Sequence, residues 1–331
     1  PRPSDPVQYL NSTTQTLQAL KKGQRYQQPM PPGSGDACLI ADLATHGQAP
    51  LAVFCAHPVD AQRLCDEILL FNPQLRVPAF PDWETLAYDR FSPHEDLISA
   101  RLRTLNALLE SNVDVLTIPV STALYRLAPP TFLAAYSFSF KQGDQLDEQQ
   151  FKEQMLLANY SHVTQVSAPG EFSIRGGLID LFPMGSSLPY RLDLFDDDIE
   201  SIRAFDVDSQ RSLYPVSQID LLPGREFPLD ETARHLFRSQ FREHFEGDPS
   251  RALPYKDIGN GIAFAGVEYY LPLFFEKTAT IFDYLPKDSI LITHQDCQQA
   301  IDAFHTDTAQ RYHFLKSDPE RPILAPDLLF L

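Results

Sequence analysis

The hydrophobic pattern of this chain changes its period twice, and this change constrains the possible folds more than any other feature. Two continuous apolar runs, residues 51–56 and 114–120, alternate with segments in which apolar residues recur at helical spacing. Such runs predict strands buried on both faces of a mostly parallel α/β sheet. From about residue 134 the pattern alternates every second residue, as in an antiparallel sheet with one solvated face, and an apolar run at 290–293 restores the first pattern. The simplest architecture is one α/β domain interrupted by an α+β insert at about residues 134–222.

Length and charge restrict the function classes. The 331 residues predict two or three domains, and 27 Lys and Arg against 44 Asp and Glu give a formal net charge of −17. Because contacts to a phosphate backbone need clustered Lys and Arg, we expect DNA to be reached through partner proteins. The sequence has no CxxC motif and no His/Cys cluster. We therefore expect the four cysteines to be free thiols in a reducing cytoplasm: Cys38, Cys55, Cys65 and Cys297.

Neither a membrane protein nor a secreted protein is indicated by the sequence. No apolar run approaches the length of a membrane-spanning helix, and the N-terminal residues PRPSDP have no signal-peptide core. The chain begins with Pro1 and not with Met, from which we expect a piece of a longer protein.

The most informative stretch is Gly170–Asp206, which contains two arginines and an aromatic residue in alternating strands. Arg175 precedes two glycines that would permit a bulge or a close backbone approach. Arg191 and Phe195 lie four residues apart on one predicted strand, so they share a sheet face. Arginine and aromatic residues are enriched at interface hot spots, which favours a partner-binding surface. The ordinary alternative is a surface ion pair of Arg191 with Asp193 or Asp198 and a core position for Phe195.

This stretch resembles the second domain of the nucleotide-excision repair protein UvrB. The similar segments are a G-x-F-x-x-R-G-x-x-I-D-L-F-P strand at Gly170–Pro183, the charged strand Arg191–Glu200 and the looser Ala204–Asp206. Within these relatives, Asp82–Leu102 and residues 178–212 look specifically like the N-terminal UvrB-homology region of bacterial transcription-repair coupling factor (Mfd).

The resemblance implies a fold and a domain division. It implies a degenerate RecA-like (P-loop NTPase-like) parallel-sheet domain built from two segments, residues 1–133 and 223–331. The α+β antiparallel-sheet insert at residues 134–222 would be the UvrA-binding domain.

The resemblance also implies a function. The insert would bind UvrA through Arg175, Arg191 and Phe195, and so recruit excision repair to RNA polymerase stalled at a lesion. The longer parent would be an ATP-dependent translocase on double-stranded DNA, with ATP, Mg²⁺ and RNA polymerase bound by its other domains. The chain itself is expected to be a cytoplasmic monomer that binds no cofactor and no membrane. A structural or autoinhibitory scaffold for the motor and a divergent ATPase half remain alternatives.

The residues at the implied nucleotide site do not fit ATP hydrolysis. A P-loop needs backbone N–H groups around the phosphates, a lysine and a hydroxyl residue. Here Gly33 and Gly35 persist, but Asp36 stands where the family has lysine and Ala37 where it has the hydroxyl; Met30 also replaces a glycine. The acidic Mg²⁺-binding pair of the family is replaced by His294 and Gln295. We therefore expect no hydrolysis of ATP and no catalytic residue.

The remaining candidates predict structural roles. The segment Phe80–Ile98 is shorter than the DNA-gripping hairpin of UvrB, so Trp83 and Tyr88 are expected to pack in the core. The run Asp196–Asp198 is expected to be a solvated turn. Ser34 lacks the frame of a nucleophile elbow. No metal site is expected, since metal-ligand spacing is absent around His57, His94 and His294.

Overall fold

The computed structural model describes residues 13–331, which form helices and three β-sheets. Residues 13–18 are helical. The further α-helices are α1 (Gly35–His46), α2 (Pro58–Phe71), α3 (Glu95–Leu109), α4 (Val120–Ala123), α5 (Pro130–Tyr136), α6 (Glu148–Leu157), α7 (Glu231–His244), α8 (Leu253–Gly259), α9 (Ile281–Tyr284), α10 (Cys297–Leu315) and α11 (Pro326–Leu329). Two 3₁₀ helices span Pro249–Arg251 and Val267–Phe274.

The strands fall into one parallel sheet and two sheets with antiparallel pairing. They are β1 (Leu51–Cys55), β2 (Val115–Pro119), β3 (Phe138–Lys141), β4 (Ser161–His162), β5 (Glu171–Arg175), β6 (Leu178–Phe182), β7 (Tyr190–Phe195), β8 (Asp198–Phe205), β9 (Ser212–Val216), β10 (Gln218–Leu221) and β11 (Ile290–His294). This mixture confirms the predicted α/β class with parallel and antiparallel sheets.

One compact unit consists of the residues up to Pro81 together with Ala107–Ala123 and Leu285–Ala303. Its sheet has the order β11-β1-β2, and both strand pairs are parallel. All five residues of β1 and of β2 are buried, which explains their uninterrupted apolar sequences. The helices α1 and α2 supply buried Leu43, Leu64 and Ile68 to the same core.

The second compact unit consists of Asp82–Asn106, Leu124–Tyr284 and Phe304–Leu331. It contains a six-stranded sheet of order β4-β5-β6-β7-β8-β9 and the separate pair β10-β3. Across the sheet, Ile179 pairs with Leu192 and Leu192 with Ile202, so one face is a buried apolar layer. The other face carries the intervening polar residues, which is the pattern that the alternation predicts.

The two glycines after Arg175 form a tight hairpin turn. Arg175 pairs with Leu178, and Gly176 and Gly177 have φ of 54° and 81°. A two-residue hairpin turn with positive φ at both positions favours glycine, because other residues rarely adopt this conformation. The glycines therefore build the β5–β6 turn and not a bulge, which was one of the two alternatives expected for them. A register irregularity does occur, between Asp193 and Leu194.

Three details of the predicted strands are wrong. A strand was expected at residues 162–167, but only the two-residue β4 forms there. The strand β9 was not predicted from the pattern. β11 is half exposed, since it lies at the edge of its sheet and Leu291 is 54% exposed. Leu291 and Thr293 lie on one exposed face of β11, and an apolar run alone cannot distinguish such a strand from one that is buried on both faces.

A buried ion pair with a tryptophan lies in the core of the second unit. Glu226 accepts a hydrogen bond from Trp83 Nε1 at 2.7 Å and another from Arg101 Nε at 2.9 Å. The Arg101 guanidinium also lies 5.1 Å from the centre of the Trp83 ring. Trp83 and Tyr88 are both buried, as the sequence predicted.

Among residues 13–331, no helix is both long enough and apolar enough to cross a membrane. The described residues also include no group of three or more His, Cys, Asp or Glu side chains that could hold a metal ion.

Candidate functional site

The polar face of the six-stranded sheet contains a buried carboxylate that holds two arginines. The strand register places Asp180 of β6 between Ser173 of β5 and Arg191 of β7. Arg191 donates from Nε to Asp180 Oδ1 at 2.7 Å and from Nη2 to Asp180 Oδ2 at 2.9 Å. Arg175 Nη2 donates to the same Oδ2. The bidentate pair fixes the guanidinium plane of Arg191, and the single hydrogen bond from Arg175 tethers the second guanidinium to the same carboxylate.

The two arginines differ in exposure. Arg191 is 18% exposed, and its guanidinium lies 4.8 Å from the centre of the Phe205 ring. Arg175, at the turn, is 48% exposed. The hydrogen bond to Asp180 raises the pKa of Arg191 above its ordinary value, so this side chain stays charged. Arg175 can therefore meet a partner directly, while Arg191 also donates from Nη1 to the Gln210 carbonyl oxygen at 3.3 Å and offers only the N–H groups that Asp180 and Gln210 do not use.

Phe195 ends β7 on the same sheet face and is 69% exposed. Leu194 N donates to the Gly177 carbonyl oxygen at 2.8 Å, which ties the end of β7 to the turn that follows Arg175. Since residues two apart on a strand face the same side, Arg191, Asp193 and Phe195 form one row. We call the surface formed by Arg175, Arg191 and Phe195 the polar sheet face.

The alternative interpretation, a surface ion pair of Arg191 with Asp193 or Asp198 and a core position for Phe195, is wrong in both parts. Arg191 pairs with Asp180 across the β6–β7 ladder, whereas Asp193 accepts a hydrogen bond from Ser201 Oγ at 2.8 Å. Phe195 is exposed and not a core residue. Sequence reasoning missed Asp180, although one signal was present. Asp180 is the only charged residue in β6, and an isolated carboxylate in an apolar strand needs a partner.

In the first unit, residues that the resemblance assigns to a degenerate nucleotide site form an internal ion pair. Asp36, at the beginning of α1, is buried and accepts from Arg63 Nη2 at 2.7 Å. His294 Nε2 lies 2.8 Å from the same Asp36 Oδ2, and Ala37 N donates to Oδ1 at 2.7 Å. The carboxylate thus lies at a helix N-terminus, where the positive end of the helix dipole favours an anion.

The sequence identified both Asp36 and His294 but not their contact, nor the role of Arg63 on α2. Gly33 is exposed with φ of 61°, and Gly35 begins α1. Ala37 is buried, and Gln295 is exposed with φ of 66°. Burial alone would raise the pKa of Asp36, but the hydrogen bonds from Arg63 and His294 outweigh burial and hold it below its usual value.

The lowered pKa of Asp36 predicts a pH-dependent stability effect. A carboxyl group whose pKa is lower in the folded state stabilises the fold above the unfolded-state pKa of about 3.9. That contribution is lost as the pH falls through the folded-state pKa. Asp36→Asn should therefore lower the free energy of unfolding by about 1–3 kcal/mol at pH 7, and the difference from wild type should shrink below pH 4. Urea unfolding between pH 3 and 8 checks this.

Asp66→Asn is the matched control, because Asp66 lies exposed on α2 and bonds only to Gln62 in its own helix among the described contacts. An equal loss in both variants at pH 7, or an Asp36→Asn loss that is the same at pH 3, would contradict the prediction.

Comparison with known proteins places the polar sheet face within a matched family domain. The family model described as the UvrB interaction domain matches residues 138–227, which include all six strands of the sheet. The fold and this match define an α/β protein in which residues 138–227 match the UvrB interaction domain.

The curated relatives are more specific. The chain is 44% identical over 300 residues to transcription-repair-coupling factor of Escherichia coli, which covers 90% of this chain and 26% of the relative. It is 43% identical to the transcription-repair-coupling factor of Haemophilus influenzae, over 91% of this chain and 26% of the relative. It is 28% identical to that of Bacillus subtilis, over 78% of this chain and 23% of the relative. These matches confirm the resemblance to the N-terminal UvrB-homology region of transcription-repair coupling factor. The chain spans about a quarter of the length of the curated relatives it matches.

Proposed function

We propose that this chain is a non-catalytic module that binds UvrA and recruits nucleotide-excision repair to stalled transcription. The observation that carries the proposal is the exposed Phe195 beside Arg175 on the polar sheet face of a UvrB interaction domain. The similar relatives are named transcription-repair-coupling factor, which supports the same conclusion.

The chemistry of the face favours a protein partner with an acidic rim and an apolar pocket. Phe195 supplies an aromatic anchor, and burying such a ring is worth roughly 1.5–3 kcal/mol. Arg175 is half exposed and can form charge-assisted hydrogen bonds to acidic partner residues, while Asp180 holds both guanidiniums in place before binding. Because the arginines are oriented in advance, less rotamer entropy is lost on association.

We also propose that the chain hydrolyses no ATP and that its parallel sheet is a degenerate RecA-like domain. In support, Asp36 lies at the N-terminus of α1 with Arg63 and His294 on its carboxylate, so a negative charge lies where a phosphate would bind. The division at residues 134 and 222 belongs to the same proposal. A rise in Tm with ATP and Mg²⁺ would contradict it, because a ligand that binds only the folded state raises the apparent stability.

The activity of the longer protein is a proposal drawn from the relatives. It would be an ATP-dependent translocase on double-stranded DNA, with RNA polymerase and DNA bound outside this chain. A cytoplasmic location and a monomeric chain without a cofactor remain predictions.

Calorimetric titration of UvrA into the chain tests the proposal. Wild type should bind, and the variant with Arg175→Ala, Arg191→Ala and Phe195→Ala should bind at least about 100-fold more weakly, since losing an aromatic anchor and charged donors removes more than 2.7 kcal/mol. The matched control carries Lys141→Ala, Lys152→Ala and Leu157→Ala. It removes the same charge and one exposed apolar side chain elsewhere in the matched domain.

Each outcome decides between the candidates. Equal losses in both triple variants would show that UvrA binds elsewhere. If wild type itself does not bind UvrA, the scaffold or autoinhibitory alternative replaces recruitment. The far-UV circular dichroism of each variant establishes that it is folded.

A further inference from the structure

One buried carboxyl group of the second unit has no arginine beside it. Glu268, in the first turn of the 3₁₀ helix Val267–Phe274, is 4% exposed. Its Oε2 accepts a hydrogen bond from Ser92 Oγ at 2.9 Å, and among residues 13–331 no Lys, Arg or His forms an ion pair with it. The other buried acidic side chains of the described chain each pair with an arginine, namely Asp36 with Arg63, Asp180 with Arg191 and Glu226 with Arg101.

A negative charge on Glu268 is therefore costly. An unpaired charge is strongly disfavoured in a protein interior, and a buried carboxyl group takes up a proton instead. Burial raises the pKa of Glu268 to about 7, although the hydrogen bond from Ser92 and the positive charge of Arg225 act in the opposite direction. The negative charge of Glu226 adds to the rise, and the guanidinium of Arg101 is already paired with Glu226. At pH 7 Glu268 is thus neutral in about half of the molecules.

The hydroxyl group of Ser92 connects Glu268 to the residue that precedes its helix. Gly266 N donates to Ser92 Oγ at 3.1 Å, so the hydroxyl accepts from Gly266 and donates to Glu268. Gly266 has φ of 80°, and a Cβ atom at this position would clash with the Asp89 carbonyl oxygen. The two segments therefore approach closely at this point. We call the contact between Ser92, Gly266 and Glu268 the Ser92 clasp.

The charged groups next to the Ser92 clasp have other partners. Of these residue types, only histidine ordinarily changes its charge near neutral pH, and His94 is exposed and outside the clasp. The contacts of these groups are Arg321 Nη2 to the Asp89 carbonyl oxygen, Arg311 to the Asp89 carboxylate, Arg90 to Asp318 and His94 to Asp96.

We propose that the Ser92 clasp is a pH-sensitive device, which a proton on Glu268 keeps closed and which loosens when that proton is lost. The physical reason is that water stabilises the ionised carboxylate, and water reaches it only when the contact with Ser92 opens. The clasp holds the segment that carries Phe91, an apolar side chain that is 72% exposed. The device shares no residue with the polar sheet face and does not depend on the binding of UvrA.

The direction of the pH effect follows from linkage. The pKa of Glu268 is about 7 in the closed clasp, whereas the pKa of a glutamate in water is about 4.3. The closed state therefore has its full advantage below about pH 4.3 and loses it as the pH rises through about 7. Between pH 6 and 8, the population of the open clasp should rise about tenfold.

Hydrogen exchange of the Gly266 amide in the whole 331-residue chain tests the proposal, because this amide donates to Ser92 Oγ. After correction for the intrinsic exchange rate, its protection factor in wild type should fall about tenfold between pH 6 and 8. In Glu268→Gln, whose side chain cannot ionise, the protection factor should stay constant. The Leu127 amide, which donates to the Ala279 carbonyl oxygen at 2.8 Å in the same unit, is the internal reference and should not change.

Two matched variants isolate the role of Glu268. Glu276→Gln removes the same charge from an exposed position of the same unit, and His94→Gln removes the histidine next to the clasp. Both should behave like wild type, and loss of the pH effect in either would overturn the proposal. A constant Gly266 protection factor in wild type, or the same fall in Glu268→Gln, would also overturn it. An equal fall at Leu127 would show that the proton acts on the whole unit and not on the clasp.

Ser92→Ala tests whether the hydroxyl group is the link. The Gly266 amide of this variant should lose most of its protection already at pH 6, while the Leu127 amide stays protected. Unchanged protection of Gly266 in Ser92→Ala would contradict the clasp.

Discussion

Replacing Glu226 by alanine is expected to lower the free energy of unfolding by about 3–5 kcal/mol, because it leaves the buried guanidinium of Arg101 without its carboxylate. The same change removes the acceptor of the Trp83 Nε1 hydrogen bond. A loss of this size is a large fraction of the stability of an ordinary domain. Trp83 is the only tryptophan in the chain, so its fluorescence during urea unfolding reports directly on this cluster.

Two further variants distinguish the loss of pairing from the loss of packing. Glu243→Ala, at an exposed position of α7, should change the stability by less than about 0.5 kcal/mol. The double variant Glu226→Leu with Arg101→Met should recover much of the loss, since a buried ion pair can be replaced by apolar residues at little cost. If Glu226→Ala loses less than about 1 kcal/mol, the ion pair does not stabilise the core as its geometry indicates.

Replacing Asp180 by alanine should reduce both stability and partner binding. The variant leaves Arg191, which is only 18% exposed, without the carboxylate that accepts from its Nε and Nη2, while Nη1 keeps its 3.3 Å hydrogen bond to the Gln210 carbonyl oxygen. We expect a loss of about 2–4 kcal/mol in unfolding free energy. Because Arg175 and Arg191 are no longer oriented, UvrA binding should also weaken by about tenfold in calorimetry at a temperature where the variant is folded.

Asp193→Ala is the matched control for Asp180→Ala. Asp193 lies on the same face of β7 and carries the same charge, but it bonds to Ser201 and not to an arginine. If the two variants weaken UvrA binding equally, only the net charge of the face matters. If Asp180→Ala binds UvrA like wild type, Asp180 has no positioning role.

The local structure of this chain was largely predictable from its sequence. Continuous apolar runs predicted the buried β1 and β2, and two-residue alternation predicted the antiparallel strands β5 to β8, because burial on one or both faces determines which positions must be apolar. Prediction was wrong where burial does not impose a pattern, as in the short β4 and the exposed β9.

The candidate site was predictable only in part. The spacing of Arg191 and Phe195 predicted that they share a face, since the side-chain period of a strand is two. The resemblance also predicted that Asp36 stands where the related family has a P-loop lysine, and this stays a prediction. The hydrogen-bond partners of these residues were not predictable. Arg191 has acidic neighbours along the chain, but it forms its ion pair with Asp180 on the neighbouring strand.

The sequence by itself determined the kinds of elements and the family resemblance. Only the tertiary structure decided which polar side chains pair with one another: Asp36 with His294, 258 residues apart, and Glu226 with Arg101, 125 residues apart. The physical reason is that periodicity reports how each residue is buried, which is a local property. Pairing depends on strand register and helix packing, which bring together residues whose separation along the chain carries no signal.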